Sequence, residues 1–402
     1  MLKRPLVPLT ALLWGLQFAF LSPALALILV GVYGATPGEV GWVLAIYNAS
    51  GFVFSLVLPG WADRRGQYLL GLMACALLTV ALAIALAVAT NLAVATVALV
   101  VLGGPAGVGG ALLFAHLRHS GAPPGEIVNT RAVISFAWVA GPPVATALMG
   151  WFGDRASLVA IAVIGTGTVA LTLVMLRRSR RPEPAAAPVH GGAANEQPEA
   201  ARVPNGRVAV IVVAFVLAQA TNAAAVSALT LYVSEYLGLP VFWAGIALGL
   251  AAALEIPALL ALGRLSGTRS PLVLLLTGCA AGVVYYAGMA FATSVPVLLV
   301  LQVPNAWFFA AISGVGLTLF QDLIPRPGIA TGLYTNTRRV GSIIAGPVIG
   351  IASTPWSYPG VFATCAAMTL AAALATALAG RAGRRRRADP RDDSQVAHKP
   401  VG

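Results

Sequence analysis

In this chain charge is confined almost entirely to short clusters between long apolar runs, and that pattern removes most of the folds open to 402 residues. Charged residues make up 9% of the chain, where a soluble domain carries about 25%. Such a chain cannot cover a water-facing surface, but it can face lipid. A bilayer core of about 30 Å takes about 20 helical residues. Cutting the sequence at its charge and turn clusters predicts twelve spans. The first six are Leu6–Tyr33, Glu39–Trp61, Gln67–Ala89, Leu92–Phe114, Glu126–Trp151 and Ser157–Leu176. The second six are Val208–Tyr236, Pro240–Leu262, Pro271–Ala292, Val295–Leu319, Ile329–Ser353 and Pro359–Ala379. The expected fold class is an all-α membrane protein of twelve transmembrane helices. Its 43 Gly and 27 Pro fit that class, because membrane helices tolerate both.

The net charge of +12 would suit a nucleic-acid binder, but its distribution argues for a membrane protein and no nucleic-acid partner. With both termini in the cytoplasm, 24 of the 25 Lys and Arg fall on the cytoplasmic side, and only Arg155 lies outside. That asymmetry predicts a multi-pass protein of a cell membrane. Lys3-Arg4, an apolar run and Ala24-Leu25-Ala26 imitate a signal peptide. The apolar stretch continues past that point, and removing it would break the in/out parity, so a first transmembrane helix is expected instead. Arg384 to Arg387 are placed to touch anionic headgroups or to act as a solvated anchor.

Two phrases occur twice, in the same order. Asn129-Thr130-Arg131 followed by Ala140-Gly141-Pro142-Pro143 returns as Asn336-Thr337-Arg338 followed by Ala345-Gly346-Pro347. Gln17 answers Gln219, Pro37 and Trp42 answer Pro240 and Trp243, and Cys75 answers Cys279. A duplicated six-helix unit follows, with its working parts between the halves. The expected organisation is a first bundle over 1–176, a flexible cytoplasmic linker over 177–207, a second bundle over 208–380, and a disordered basic tail over 381–402. The linker carries almost no large apolar residue and cannot offset its ordering entropy.

Between the second and third spans lies Pro59-Gly60-Trp61-Ala62-Asp63-Arg64-Arg65-Gly66. It resembles the cytoplasmic loop signature of the major facilitator superfamily, with Pro59 where the first Gly usually stands and Gln67-Tyr68 in place of two basic residues. Ser135 to Pro143, Leu254 to Ala258, Phe320 to Pro325, Tyr334-Thr335-Asn336 and Tyr285 to Gly288 are similar to the bacterial sugar efflux transporters of that superfamily. The resemblance implies the major facilitator fold, two pseudo-symmetric six-helix bundles working by alternating access. It also implies export of sugars or glycosides, in exchange for protons. A gating role follows for Asp63, Arg64 and Gly66 at the signature, for Gly141, Pro142, Gly346 and Pro347 at the repeated kinks, and for Asp322 at the cytoplasmic end.

At ~1.5 Å per residue, Gln17, Asn48, Gln219, Asn222, Asn305 and Asn336 come out near the middle of their spans, and Trp138, Trp307 and Tyr334 accompany them. Amides that donate and accept suit sugar hydroxyls, and flat rings suit the C–H faces of a pyranose. The same residues could bond helix to helix or fill the core. Glu255 lies inside the eighth span beside Pro257. It is a candidate proton carrier, or else bonds the backbone that Pro257 frees, or bonds sugar without titrating. Arg131 could bond substrate, pair with Glu126 or Asp322, or snorkel to the headgroups. Cys75, Cys279 and Cys365 fall singly inside apolar runs, and the four His are peripheral, so neither a metal site, a cofactor nor enzyme chemistry is expected. The rival reading is a multidrug exporter of the same fold. The first-half acids Glu39, Asp63, Glu126 and Asp154 sit at helix ends, which favours neutral polyols over cationic drugs. A monomer is expected.

Overall fold

The computed structural model describes residues 6–122, 124–179, 206–324 and 327–388. Of the expected linker over 177–207, residues 180–205 lie outside the described residues, as does the tail beyond 388, while 177–179 and 206–207 belong to helices. The described residues are almost wholly helical. In the first half the rods are α1 (Leu6–Gly31), α2 (Pro37–Arg65), α3 (Tyr68–Val88), α4 (Leu92–His119), α5 (Pro124–Phe152) and α6 (Ala156–Ser179). In the second half they are α7 (Gly206–Tyr236), α8 (Phe242–Leu265), α9 (Pro271–Ala290) and α10 (Val295–Leu323). The last is a helical stretch, Pro327–Ala388, broken at Trp356 and Ser357 into α11 (327–355) and α12. Ser357 takes φ 55, the left-handed region, between Pro355 and Pro359, each of which lacks a backbone donor. Eleven of the rods are long and apolar enough to cross a membrane. The remaining rod, α11, carries Arg338 and Arg339 within its length.

Local chemistry sets the ends. Thr36 and Glu39 form a reciprocal capping box at the start of α2, and Asn91 caps α4. Gly66 closes α2 in the left-handed conformation at φ 63. The signature residues Asp63, Arg64 and Arg65 are therefore the last turn of α2 and not a loop. Arginines suit that position because the carbonyl end of a helix is electronegative. The backbone of 381–388 is likewise helical, where a disordered tail was expected.

Helices α4, α7 and α10 each contain one π-helical turn, at Leu99–Gly103, Tyr232–Tyr236 and Ala311–Val315. The first and third occupy the fourth helix of each half. A π turn displaces carbonyls from their usual donors, and in lipid those oxygens need partners. Ser50 of α2 donates to the Val100 carbonyl at 2.6 Å. Tyr334 of α11 donates to the Ile312 and Ser313 carbonyls at 3.2 and 3.3 Å. Tyr232, at the start of the α7 π turn, donates its hydroxyl to the carbonyls of Met289, in the last turn of α9, and of Ala292 just beyond it.

The apolar core differs between the two ends of the molecule. At the end away from the arginine clusters it is continuous across the halves, running from Phe20, Leu25 and Val40 through Met149 to Ala228, Ala244 and Ile349. At the arginine-rich end the first half has its own cluster around Ala62, Leu72 and Leu112. The second half has another, around Leu262, Leu274 and Ala311. The halves are joined at one end and parted at the other. Trp151, Phe152 and Phe291 are 77%, 73% and 84% exposed at the joined end, the position of an interfacial aromatic belt.

Candidate functional site

Two seams close the joined end, and both are made of main chain. In the first, Gly38, Gly41 and Ala45 of α2 meet Gly346 and Gly350 of α11. A Cβ at Gly41 would stand 2.7 Å from the Gly350 nitrogen, and one at Gly346 would stand 2.7 Å from both the nitrogen and the Cβ of Ala45. In the second, Gly245 and Gly249 of α8 meet α5. A Cβ at Gly249 would lie 2.6 Å from the Val139 carbonyl, and one at Gly245 would lie 2.6 Å from the Pro142 carbonyl. Without Cβ atoms the backbones approach closely, which is how helices gain packing energy in lipid. Thr146 donates to the Pro142 carbonyl at 2.9 Å, occupying an oxygen near the Pro kinks. Of the repeated kink residues, Gly346 and Pro142 face the opposite half. Gly141 instead packs on Ala19 of α1, within its own half.

Above these seams Asp154, in the α5–α6 turn, covers Gly31 of α1 and feels the Glu235 carboxylate of α7. Burial first, and the like charge of Glu235 second, raise its pKa above the ordinary 3.8. An acid with a raised pKa holds its proton more tightly in this arrangement than in one that exposes it. The closed end is therefore favoured as pH falls. The effect is complete below 3.8 and lost as pH rises through the raised value. Distances between spin labels across the closed end should shorten on acidification, and Asp154→Asn should flatten that response. An unchanged response in the variant would refute the assignment.

At the parted end the halves frame a polar interior. Asn48 of α2 is half-buried and donates to the Leu44 carbonyl at 2.9 Å and to the Ser342 carbonyl of α11 at 3.2 Å. Beside it lies a crevice of about 220 Å³, walled by Phe18, Asn48, Phe52, Ser55, Arg339 and Ser342 among others. Across the interior Glu255 of α8 is half-buried and accepts from Ser313 of the α10 π turn at 3.2 Å. The Tyr334 ring stands edge-on to Phe215 and Phe320. Glu255, Arg338 and, from the first half, Arg131 all lie within electrostatic reach of the Tyr334 hydroxyl.

The amides do not form one set. Asn48, Asn222 and Asn336 are half-buried. Gln17 is 2% exposed and donates to Thr168 of α6 at 2.7 Å, away from the interior. Gln219 is buried against Gly341. Asn305 donates to Gln302 at 2.9 Å, within α10. Trp307 donates to Thr277 of α9 at 3.3 Å, and Trp138 is half-buried on α5. Asp63 is exposed and accepts from Tyr68 of its own half at 2.8 Å, while Arg65 lies over the Trp61 ring at 5.1 Å. Arg64, Gly66 and Asp322 are exposed at the same end, and Pro347 is half-buried in α11. Arg131 makes no ion pair with Glu126 or Asp322 among the described residues. Sequence reasoning missed Ser313, Arg339 and Ser342. Arg339 adjoins the repeated Asn-Thr-Arg phrase, which was the available signal. No group of His, Cys, Asp or Glu among the described residues is arranged to hold a metal.

Comparison with known proteins agrees with this architecture. The family model of the major facilitator superfamily matches residues 9–295. Sugar efflux transporter B of Salmonella typhimurium is 31% identical over 360 residues, 88% of this chain and 90% of that protein. Sugar efflux transporter A of Dickeya chrysanthemi is 32% identical over 370 residues, 90% of this chain and 92% of that protein. Among solved structures, the nucleoside transporter NupG superposes with TM-score 0.78 at 13% identity, covering 94% of this chain and 99% of that one. A bacterial homologue of the iron transporter ferroportin superposes with TM-score 0.74 at 16% identity, covering 94% and 99%. A helical bundle joined at one end, carrying Gly-Pro in the corresponding helix of each half and matched over most of its length by these relatives, belongs to the major facilitator superfamily, in the branch of the sugar efflux transporters.

Proposed function

We propose that the protein exports sugars or glycosides across the plasma membrane of a bacterium, in exchange for protons and by alternating access. Both termini are cytoplasmic in this reading, since the arginine clusters then lie on the side that favours them. The arrangement described is then the inward-facing state, closed outside by the two glycine seams and open inside. One observation carries the mechanism: the apolar core bridges the halves at one end only. A rocking motion that parted the glycine seams and joined the other two clusters would present the same interior to the opposite side. Substrate is taken up by polar groups and rings that the rocking exposes in turn, among them Asn48, Tyr334, Asn222 and Asn336. The similarity to sugar efflux transporters and the polar interior support a saccharide cargo. Glu255 carries the proton.

The test is counterflow of labelled lactose and glucose in vesicles reconstituted with the purified protein. Trapped unlabelled sugar should drive transient accumulation of label, and a pH gradient should drive it without trapped sugar. Transport of lipophilic cations with no saccharide movement would replace this reading with that of a multidrug exporter.

A further inference from the structure

The crevice between α2, α4 and α11 holds a charge that export of a neutral sugar does not require. Among the described residues, Arg339 is the only charged one lining its 220 Å³. It sits twelve residues into α11, about 18 Å from the start of the rod, where a guanidinium is costly unless it has water, a carboxylate or a ligand. Among the described residues no carboxylate pairs with it. Its neighbours in the crevice are the polar atoms of Asn48, Ser55 and Ser342 and the rings of Phe18 and Phe52. It does not face lipid, so it is not a snorkelling arginine. Elsewhere in the interior Arg338 and Arg131 act on the Tyr334 hydroxyl, and among the described residues Glu255 is the one carboxyl that shares their field. Three positive charges against one negative make the interior attractive to an anion.

The crevice has room for one sugar ring, its volume being that of about seven waters at ~30 Å³ each. Asn48 already spends its Nδ2 hydrogens on the Leu44 and Ser342 carbonyls. Its Oδ1 remains to accept from a sugar hydroxyl, and the Ser55 and Ser342 oxygens, whose hydrogens go to the Phe52 and Arg338 carbonyls, can accept from others. Gly51, Gly104 and Gly107 also line it, and a Cβ at Gly104 would collide with Ser50, so bare backbone lets α4 lie close against α2 there. The planar guanidinium suits two oxygens of one anionic group better than it suits scattered hydroxyls.

We propose that this crevice is a substrate subsite for a saccharide bearing one anionic group, a carboxylate or a phosphate, with Arg339 binding that group and Asn48 orienting the ring. The proposal rests on the reading of the protein as a sugar exporter and narrows its substrate class. The test is isothermal titration of the full chain in detergent micelles with methyl glucoside, glucuronate and glucose 6-phosphate. Glucuronate or glucose 6-phosphate should bind about tenfold or more tighter than methyl glucoside, and the two arms separate the carboxylate from the phosphate source. Arg339→Gln should abolish that preference while leaving methyl glucoside affinity within about twofold, a result that also reports an intact fold. Should that variant bind no sugar, Arg339→Lys decides. A retained anionic preference supports the subsite, and a lost one with methyl glucoside still bound overturns it. Equal affinities in the unmodified protein, or a preference that survives Arg339→Gln, likewise overturn it while leaving sugar export intact. Failure of every saccharide, charged or neutral, to bind or move would instead overturn the export reading.

Discussion

Replacing Gly346 with Val should leave the protein unable to hold its outer end shut. Any Cβ at this position points into the Gly41 carbonyl and stands 2.7 Å from the nitrogen and Cβ of Ala45, so the obstruction is mostly helix backbone and cannot swing aside. The two branches of Val enlarge the collision, and relief requires α2 and α11 to separate. Overpacking of this kind costs about 1–3 kcal/mol. It falls on the closed-outside state alone, because the seam is already parted in the other. The equilibrium should therefore shift about 5–150-fold toward the outward-open state. The readout is labelling of a Val40→Cys reporter, fully buried in the core that joins the halves, by an impermeant maleimide applied from outside. The native Cys75, Cys279 and Cys365 are buried and contribute little background. Labelling should rise steeply in the Val variant, and Gly245→Val should act the same way through Thr146 and Pro142. Unchanged labelling in both would mean that the seams do not form the gate.

Glu255→Gln should uncouple sugar movement from protons. Among the described acids, Glu39, Asp63, Glu126, Asp154, Glu235 and Asp322 lie at helix ends or turns, and Glu255 alone lies well inside a span. Its Oε1 accepts from Ser313 at 3.2 Å, and Gln can keep that bond and the side-chain shape. What Gln cannot do is gain or lose a proton. Accumulation driven by a pH gradient should fall to the level of vesicles without one, while sugar-for-sugar exchange continues near the unmodified rate. Retained pH-driven transport in the variant would remove Glu255 from the coupling step. The Ser313 bond also links the carboxyl to the α10 π turn, whose carbonyls Tyr334 holds. A protonation change at Glu255 would thus act directly on a deformable piece of helix and on a residue of the interior.

The helix count was legible because lipid demands one apolar run per span, and the chain interrupts those runs with charge. The duplication was legible because Asn-Thr-Arg and Ala-Gly-Pro recur in the same order, each within one span of its half. Helix ends were less so: Asp63, Arg64 and Arg65 read as a loop by polarity, yet continue α2, because water solvates a helical turn as readily as a loop. Depth along a span followed from the rise per residue, but direction around it did not. In a soluble helix an apolar stripe marks the inner face. Here both the lipid face and the packed face are apolar, so Gln17 could be placed at mid-depth without any sign that it turns toward Thr168. The π turns left no trace that periodicity could show. One added residue in a uniformly apolar helix changes no pattern, although it brings Ser313 to Glu255.

The two glycine seams also separate the protein's tasks. Where main chain rests on main chain, the fit depends on bare backbone at a few positions and is indifferent to what the remaining faces of α2, α5, α8 and α11 carry. Side chains that line the chamber, such as Asn48 on α2 and Arg339 on α11, project from the same rods at other angles. Exchanging them would alter which cargo is welcomed without disturbing the contacts that shut the chamber on one side of the membrane.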